Sequence, residues 1–157
     1  VIDIRQGDVT EVLQTLPAKH FHCAVTSPPY WGLRDYSVDG QLGLERLHDC
    51  QGWATGNKCG ACFICKMVAV FGEVRRVLRD DSVLAVNLGD TYAANRGYQV
   101  PDSKHVDVGN NGGMKPPPGL KPKDLCGIPW RFALAMQADG WFLRSDMIWC
   151  ISGGTWL

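Results

Sequence analysis

No apolar run in this chain reaches the length needed to cross a bilayer, so the sequence offers no membrane-spanning helix. Charge of one sign is missing too. Sixteen Lys and Arg offset sixteen Asp and Glu, so no global field draws the chain to a polyanion, and any nucleic-acid contact must come from local patches. The cysteine count is odd: seven thiols argue against a complete disulfide framework and fit a reducing, cytoplasmic setting. The start, VIDIRQGD, has no positively charged leader followed by an apolar core, and reads as a strand rather than a signal peptide. No internal repeat is found. What remains is a composition of 45% apolar and 20% charged residues over 157 positions, which suits one globular domain with a sizeable core and is short for two.

The pattern along the chain alternates strand and helix. Val1–Gln6 alternates as a strand, and Gly7-Asp8 turns it into a helix over Val9–Leu16 that Pro17 ends. Phe21–Val25 is a short buried strand. Residues 31–62 are loop-like and punctuated by glycine. Phe63–Arg79 is helical, with Met67, Val70, Phe71, Val74, Val77 and Leu78 on one stripe and Arg75, Arg76 and Arg79 near its C-terminal end. Ser82–Asn87 is a strand that closes in Leu88-Gly89-Asp90. Residues 93–123 are rich in Gly, Pro, Asn and Lys and read as a flexible loop of about thirty residues, a length usually functional or disordered. Residues 125–138 form a helix with Pro129 in its first turn and Gly140 just past its end, and Trp141–Trp149 reads as a last strand. The alternation predicts an α/β domain with a mostly parallel sheet.

Two constellations carry chemistry. Ser27-Pro28-Pro29-Tyr30 stands directly after the first buried strand. Two prolines stiffen the backbone and remove two amide donors, leaving carbonyl acceptors beside a hydroxyl and an aromatic ring. That set can hold a base turned out of its helix by its exocyclic amine; a plain Pro-Pro turn that ends a strand is the alternative. Trp31 and Trp53 lie in nearby loops as possible stacking rings, and Arg34 and Asp35 follow the turn as an orienting or surface pair. The second constellation is Cys50, Cys59, Cys62 and Cys65, whose tight spacing around Gly60 suits tetrahedral zinc, with His48 as a replacement for one cysteine. Unliganded thiols are the alternative. Cys23, Cys126 and Cys150 read as small buried residues, and Lys104, Lys115, Lys121 and Lys123 make the long loop mildly basic, suited to a DNA backbone or, more simply, a solvated linker.

The segments QGDVTEVLQTLP, VTSPPYWGLRDY, FGEVRRVLRDDSVLAVNLGDTY and KPKDLCGIPWRFALAMQADGWFLRSDMIW together resemble the DNA amino-methyltransferases that modify adenine N6 or cytosine N4. The likeness is to the subgroup whose catalytic motif lies near the N-terminus. It covers most of the chain outside residues 93–120. The resemblance implies a partial Rossmann-like sheet, residues 1–157 as a single partial methyltransferase domain with a cysteine-rich, zinc-type insertion at 48–65, and DNA as partner. It implies S-adenosylmethionine as cofactor, with Ser27, Pro28, Pro29 and Tyr30 catalytic and Asp8 and Ser27 toward the cofactor. Trp31, Asn87, Gly89 and Asp90 would wall the base pocket. Serine where many relatives carry aspartate tilts the target toward cytosine N4.

One family feature has no counterpart. No aromatic-x-Gly-x-Gly turn follows a strand: Gly109–Gly113 has no strand before it, and Ser152-Gly153-Gly154-Thr155 has no helix after it. The chain therefore resembles the first half of such an enzyme, with cofactor binding weak or lost. The strand bearing Ser27 would then expose an unpaired edge, which predicts a homodimer or a complementing chain. A non-catalytic, zinc-stapled module that binds nucleic acid or a partner is the competing expectation.

Overall fold

The computed structural model describes residues 2–32, 37–45, 58–93, 119–121 and 123–149. Five elements follow one another: α1 (Val9–Gln14), β1 (Phe21–Thr26), α2 (Phe63–Val77), β2 (Leu78–Val86) and α3 (Ile128–Ala138). The α/β class holds, with β1 and β2 forming a parallel pair.

Asp8 starts α1 because its carboxylate accepts the Thr10 and Glu11 N–H groups at 2.9 and 3.1 Å, which a helix start leaves without partners. The far end of α1 is closed from outside. Arg76 of α2 donates to the carbonyls of Leu13 and Leu16 at 2.7 and 3.1 Å. α2 is the long element, and along it the apolar stripe behaves as its spacing predicts: Met67, Phe71 and Val77 are buried and Val70 and Val74 pack against the core, whereas Leu78 and Arg79, expected on the helix, already belong to β2. Phe63, Ile64 and Val68 widen that stripe. At Leu78 the backbone turns extended and α2 runs straight into β2 without a loop.

The strand register is interrupted early. Phe21 pairs with Leu78 and Cys23 with Val83, so β2 advances five residues while β1 advances two. Ser82 bridges the irregularity by donating its hydroxyl proton to the Phe21 carbonyl at 2.7 Å. Beyond it the register is regular through Thr26 and Val86, which is why alternation marks the strand only from Ser82 onward. Leu84 and Val86 pack against the helices, whereas Cys23, Val25 and Val83 face solvent.

α3 packs on α2 with Phe132 edge-on to Phe71 at 5.0 Å between ring centres. Ile128, Phe132, Ala135 and Met136 join Phe63, Met67, Trp31 and Cys126 in one core. The ends of the long Gly- and Lys-rich segment are pinned together: Ala93 N–H donates to Asp124, Lys123 N–H to Ala93 and Cys126 N–H to Thr91, around a Tyr92–Leu125 bridge. No helix among the described residues is long and apolar enough to cross a membrane.

Two expected strands are corrected. Residues 2–6 and 141–149 form no strand, with Ile2 and Ile4 nearly 90% exposed and Phe142, Met147, Ile148 and Trp149 above 80%. Alternation supplies a side chain pattern, but a strand also needs a neighbour for its N–H and C=O groups, and none lies alongside either segment among the described residues.

Phe63 is wholly enclosed. Phe63→Ala is expected to cost about 3–5 kcal/mol, read as a lower urea midpoint at unchanged slope. A loss under about 1 kcal/mol would mean that α2 is not the centre of the core.

Candidate active site

β1 and β2 finish side by side at Thr26 and Val86, and Asn87 N–H extends the ladder one step by donating to the Thr26 carbonyl at 2.9 Å. Two turns therefore leave the sheet together at its carboxyl end, Ser27–Tyr30 from β1 and Asn87–Asp90 from β2. Open α/β sheets bind ligands at that end. Ser27 and Pro29 are exposed; Pro28 and Tyr30 are half-buried.

Gly89 lets the two turns close on each other. A Cβ at this position would lie 2.8 Å from Tyr30 Cε2 and 2.9 Å from its Cδ2, so the ring rests against bare backbone. Gly43 does the same from behind. Its φ of 105° is one that side chains rarely tolerate, and a Cβ there would sit 3.1 Å from the Tyr30 carbonyl oxygen. Gly32 N–H donates to the Gly43 carbonyl at 2.7 Å, and Gly43 N–H donates to the Glu45 carboxylate at 2.8 Å. The Glu45 carbonyl accepts the Trp31 indole N–H at 2.7 Å.

Asp90 anchors the other turn. Its carboxylate accepts N–H groups from Thr91, Gly127 and Ile128 at 2.8, 2.9 and 3.0 Å. The last two belong to the start of α3, where Gly127 has no side chain to cap the helix. A negative charge supplied from elsewhere in the chain meets the positive end of the helix dipole.

Three thiols converge at the opposite end of α2. The sulfurs of Cys59, Cys62 and Cys65 lie within 4.8 Å of one another, with Cys59 and Cys65 at 3.7 Å. Cys62 N–H points at Cys59 Sγ (3.3 Å) and Cys65 N–H at Cys62 Sγ (3.5 Å). Burial pushes the Cys62 thiol well above the usual cysteine range; the Cys65 N–H opposes this and the neighbouring thiols add to it. A soft divalent cation would reverse that balance by favouring the thiolates.

A DNA methylase family model matches residues 21–156, most of the chain. The chain belongs to the DNA methylase family. It is 48% identical over 145 residues to the type II methyltransferase M.Cfr9I of Citrobacter freundii, covering 92% of this chain and 44% of that protein. M.XycI of Xanthomonas campestris pv. cyanopsidis is 49% identical with the same coverage, and M.SmaI of Serratia marcescens 44% identical over 91% of this chain and 45% of its own length. The chain thus spans about half the length of these curated relatives. No solved structure matches it.

Within this DNA methylase fold the structure brings Ser27, Pro28, Pro29, Tyr30, Asn87, Gly89 and Asp90 to one end of the sheet. It does not add Trp31, which is 7% exposed and part of the core, so the ring expected to stack on a base is taken up in packing. An indole with a buried carbonyl in reach of its N–H is better placed inside than out. Asp90, expected in the base pocket, likewise spends its carboxylate on Thr91 and the start of α3. Asp8 uses one carboxylate oxygen to cap α1. A shallow surface depression of about 470 Å³ beside it is lined by Arg5, Gln6, Gly7, Glu11, Val12 and Thr15. Cys126 is buried as expected, while Cys23 is exposed because its face of the sheet is bare. Arg34, Asp35, His48, Cys50, Trp53, Lys104, Lys115 and Cys150 lie outside the described residues. Sequence reasoning missed Gly43, Glu45 and the clamping use of Asp90. Only the bare N-terminus of α3, Gly127 before Pro129, hinted that a cap must come from elsewhere.

Asp90→Ala is expected to cost about 2–3 kcal/mol, since it removes a charged acceptor shared by three N–H groups. Gly89→Ala is expected to cost about 1–3 kcal/mol and to alter the near-ultraviolet circular dichroism of Tyr30. Wild-type melting curves for both variants would contradict the clamp.

Proposed function

We propose that this chain carries the amine-holding half of a DNA methyltransferase that acts on an exocyclic amino group, cytosine N4 in preference to adenine N6. The observation that supports this reading is the Ser27–Tyr30 turn at the carboxyl end of a parallel strand pair, with Tyr30 backed by Gly89. The lone pair of an exocyclic amine is delocalised into the ring, so the nitrogen is a poor nucleophile. In this reading the Ser27 hydroxyl and the Pro28 carbonyl accept its two N–H groups and favour a tetrahedral nitrogen whose lone pair is available. Pro29 fixes the backbone, Tyr30 stacks on the base, and Asn87 and Gly89 wall the pocket. The protein contributes position and electrostatics rather than a strong base.

S-adenosylmethionine supplies the methyl group in this scheme. Asp8 lies toward its adenosine half, with one carboxylate oxygen outside the α1 cap. No glycine cradle for the cofactor accompanies Asp8 in the sequence, so the remaining contacts come from further chain or from a partner. The fold proposed is a partial Rossmann-like methyltransferase domain over residues 1–157, with 48–65 as a cysteine-rich knuckle. Cys59, Cys62 and Cys65 hold a structural zinc there, completed by Cys50 or His48. Lys121 and Lys123, both exposed, suit a DNA backbone.

Methyl transfer from labelled S-adenosylmethionine to DNA, with this chain as part of its complete methyltransferase, tests the site. Ser27→Ala and Tyr30→Ala are each expected to lower kcat/KM by about 10²-fold or more. Unchanged rates would remove the catalytic reading and leave a zinc-stapled binding module.

The bare sheet face predicts association of the isolated chain. Cys23, Val25 and Val83 are exposed on β1 and β2, and among the described residues no further strand pairs with either. Light scattering is expected to show mass rising with concentration, through a homodimer or with a complementing chain present. A constant monomer mass in both conditions would overturn this.

A further inference from the structure

We infer that the metal at the cysteine cluster sets the position of the Ser27–Tyr30 turn, acting through Lys66 and Glu45. This rests on the zinc reading above and adds a function for it.

The connection is a short chain of contacts. Cys62 caps α2, Cys65 lies in its first turn, and Lys66 N–H donates to the Cys62 carbonyl at 3.0 Å, so the thiol knuckle and Lys66 form one rigid turn. Lys66 Nζ reaches to 3.1 Å from Glu45 Oε1, an ion-pair contact outside hydrogen-bond alignment. The Glu45 side chain is only 7% exposed. A carboxylate so deeply buried needs compensation, and it draws this from the Lys66 ammonium on one oxygen and the Gly43 N–H on the other. Gly43 in turn holds Gly32 N–H and packs on the Tyr30 carbonyl, while the Glu45 backbone holds Trp31. Gly43 and Glu45 thus both bear on the Ser27–Tyr30 turn and the residues just after it, and Glu45 is held by the first turn of α2.

That first turn is where three thiols crowd together. With a cation bound, the thiolates share one positive centre and the turn has a single geometry. Without it, the sulfurs lose that shared positive centre, the helix start opens, and Lys66 leaves Glu45. Glu45 is a positioning residue in this scheme: it touches neither base nor cofactor.

Two measurements on this chain separate the links. Cobalt(II) added to chelator-treated protein is expected to give the thiolate charge-transfer and tetrahedral ligand-field bands of a sulfur-rich site. Hydrogen exchange by mass spectrometry, with and without zinc, then reads peptides covering residues 28–32 and 41–45. Zinc is expected to slow exchange there on the order of tenfold in the wild type. Glu45→Gln, and independently Lys66→Met should the first variant fold poorly, should keep the cobalt spectrum and lose that slowing. Absence of the thiolate bands would sink the zinc reading and this inference with it. Normal bands with no zinc-dependent slowing, or with equal slowing in both variants, would overturn the coupling alone and leave the zinc site standing.

Discussion

The buried face of α2 is what the rest of the molecule depends on. Phe63, Met67 and Phe71 form the centre of the core, and the two ends of the same helix reach everything else. Its N-terminal turn carries the thiols and Lys66. Its C-terminal turn carries Arg76, whose guanidinium closes α1, and then becomes β2 without a break. Because β2 sets the register of β1, the position of Ser27 is determined by how α2 is seated. A helix of fifteen residues would be marginal on its own; here tertiary burial holds it, and the Ser27–Tyr30 turn inherits that stability.

A functional turn that contains two prolines cannot bond itself in place, because two of its four amide donors are missing. The structure answers with contact from outside. Gly89 approaches from the β2 side and Gly43 from behind, each close enough that a methyl group would collide or press. Gly89 is in turn held by Asp90, whose carboxylate belongs as much to α3 as to its own turn. Helix capping and the seating of the Tyr30 ring are thus tied together, and the Leu88-Gly89-Asp90 segment that follows β2 serves both.

Local pattern made part of this legible. Helical spacing in α2, the proline and glycine that bracket α3, and the apolar run of β1 each report on residues close in sequence, and each element is found there, although β1, expected to be buried, has Phe21, His22, Cys23 and Val25 exposed. The site was legible as a motif, and the meeting of Ser27–Tyr30 with Asn87–Asp90 follows from two parallel strands ending together. What could not be read was who serves whom. Trp31 reads as a stacking ring until a carbonyl fourteen residues away takes its N–H, and Asp90 reads as a pocket acid until a helix start thirty-eight residues away takes its oxygens. Long-range hydrogen bonds leave no periodic trace. The same limit explains the two missing strands, since alternation in residues 2–6 and 141–149 says nothing about whether a neighbour is present.

The bare face of the sheet gives those missing neighbours a physical meaning. A two-stranded sheet is marginal unless packed, and this one is packed on a single side, by α2 and α3. On the other side Val25 is 79% and Val83 64% exposed, and covering such side chains is worth about 1.5–3 kcal/mol each. The methyltransferases M.Cfr9I, M.XycI and M.SmaI are about twice as long as this chain. A catalytic constellation has to be held within a fraction of an ångström by supports on every side. Cys23 and Val25, on the strand that leads into the Ser27–Tyr30 turn, stand on the open face. A surface that buried Val25 and Val83 would therefore also stiffen the two strands from which the Ser27–Tyr30 and Asn87–Asp90 turns leave.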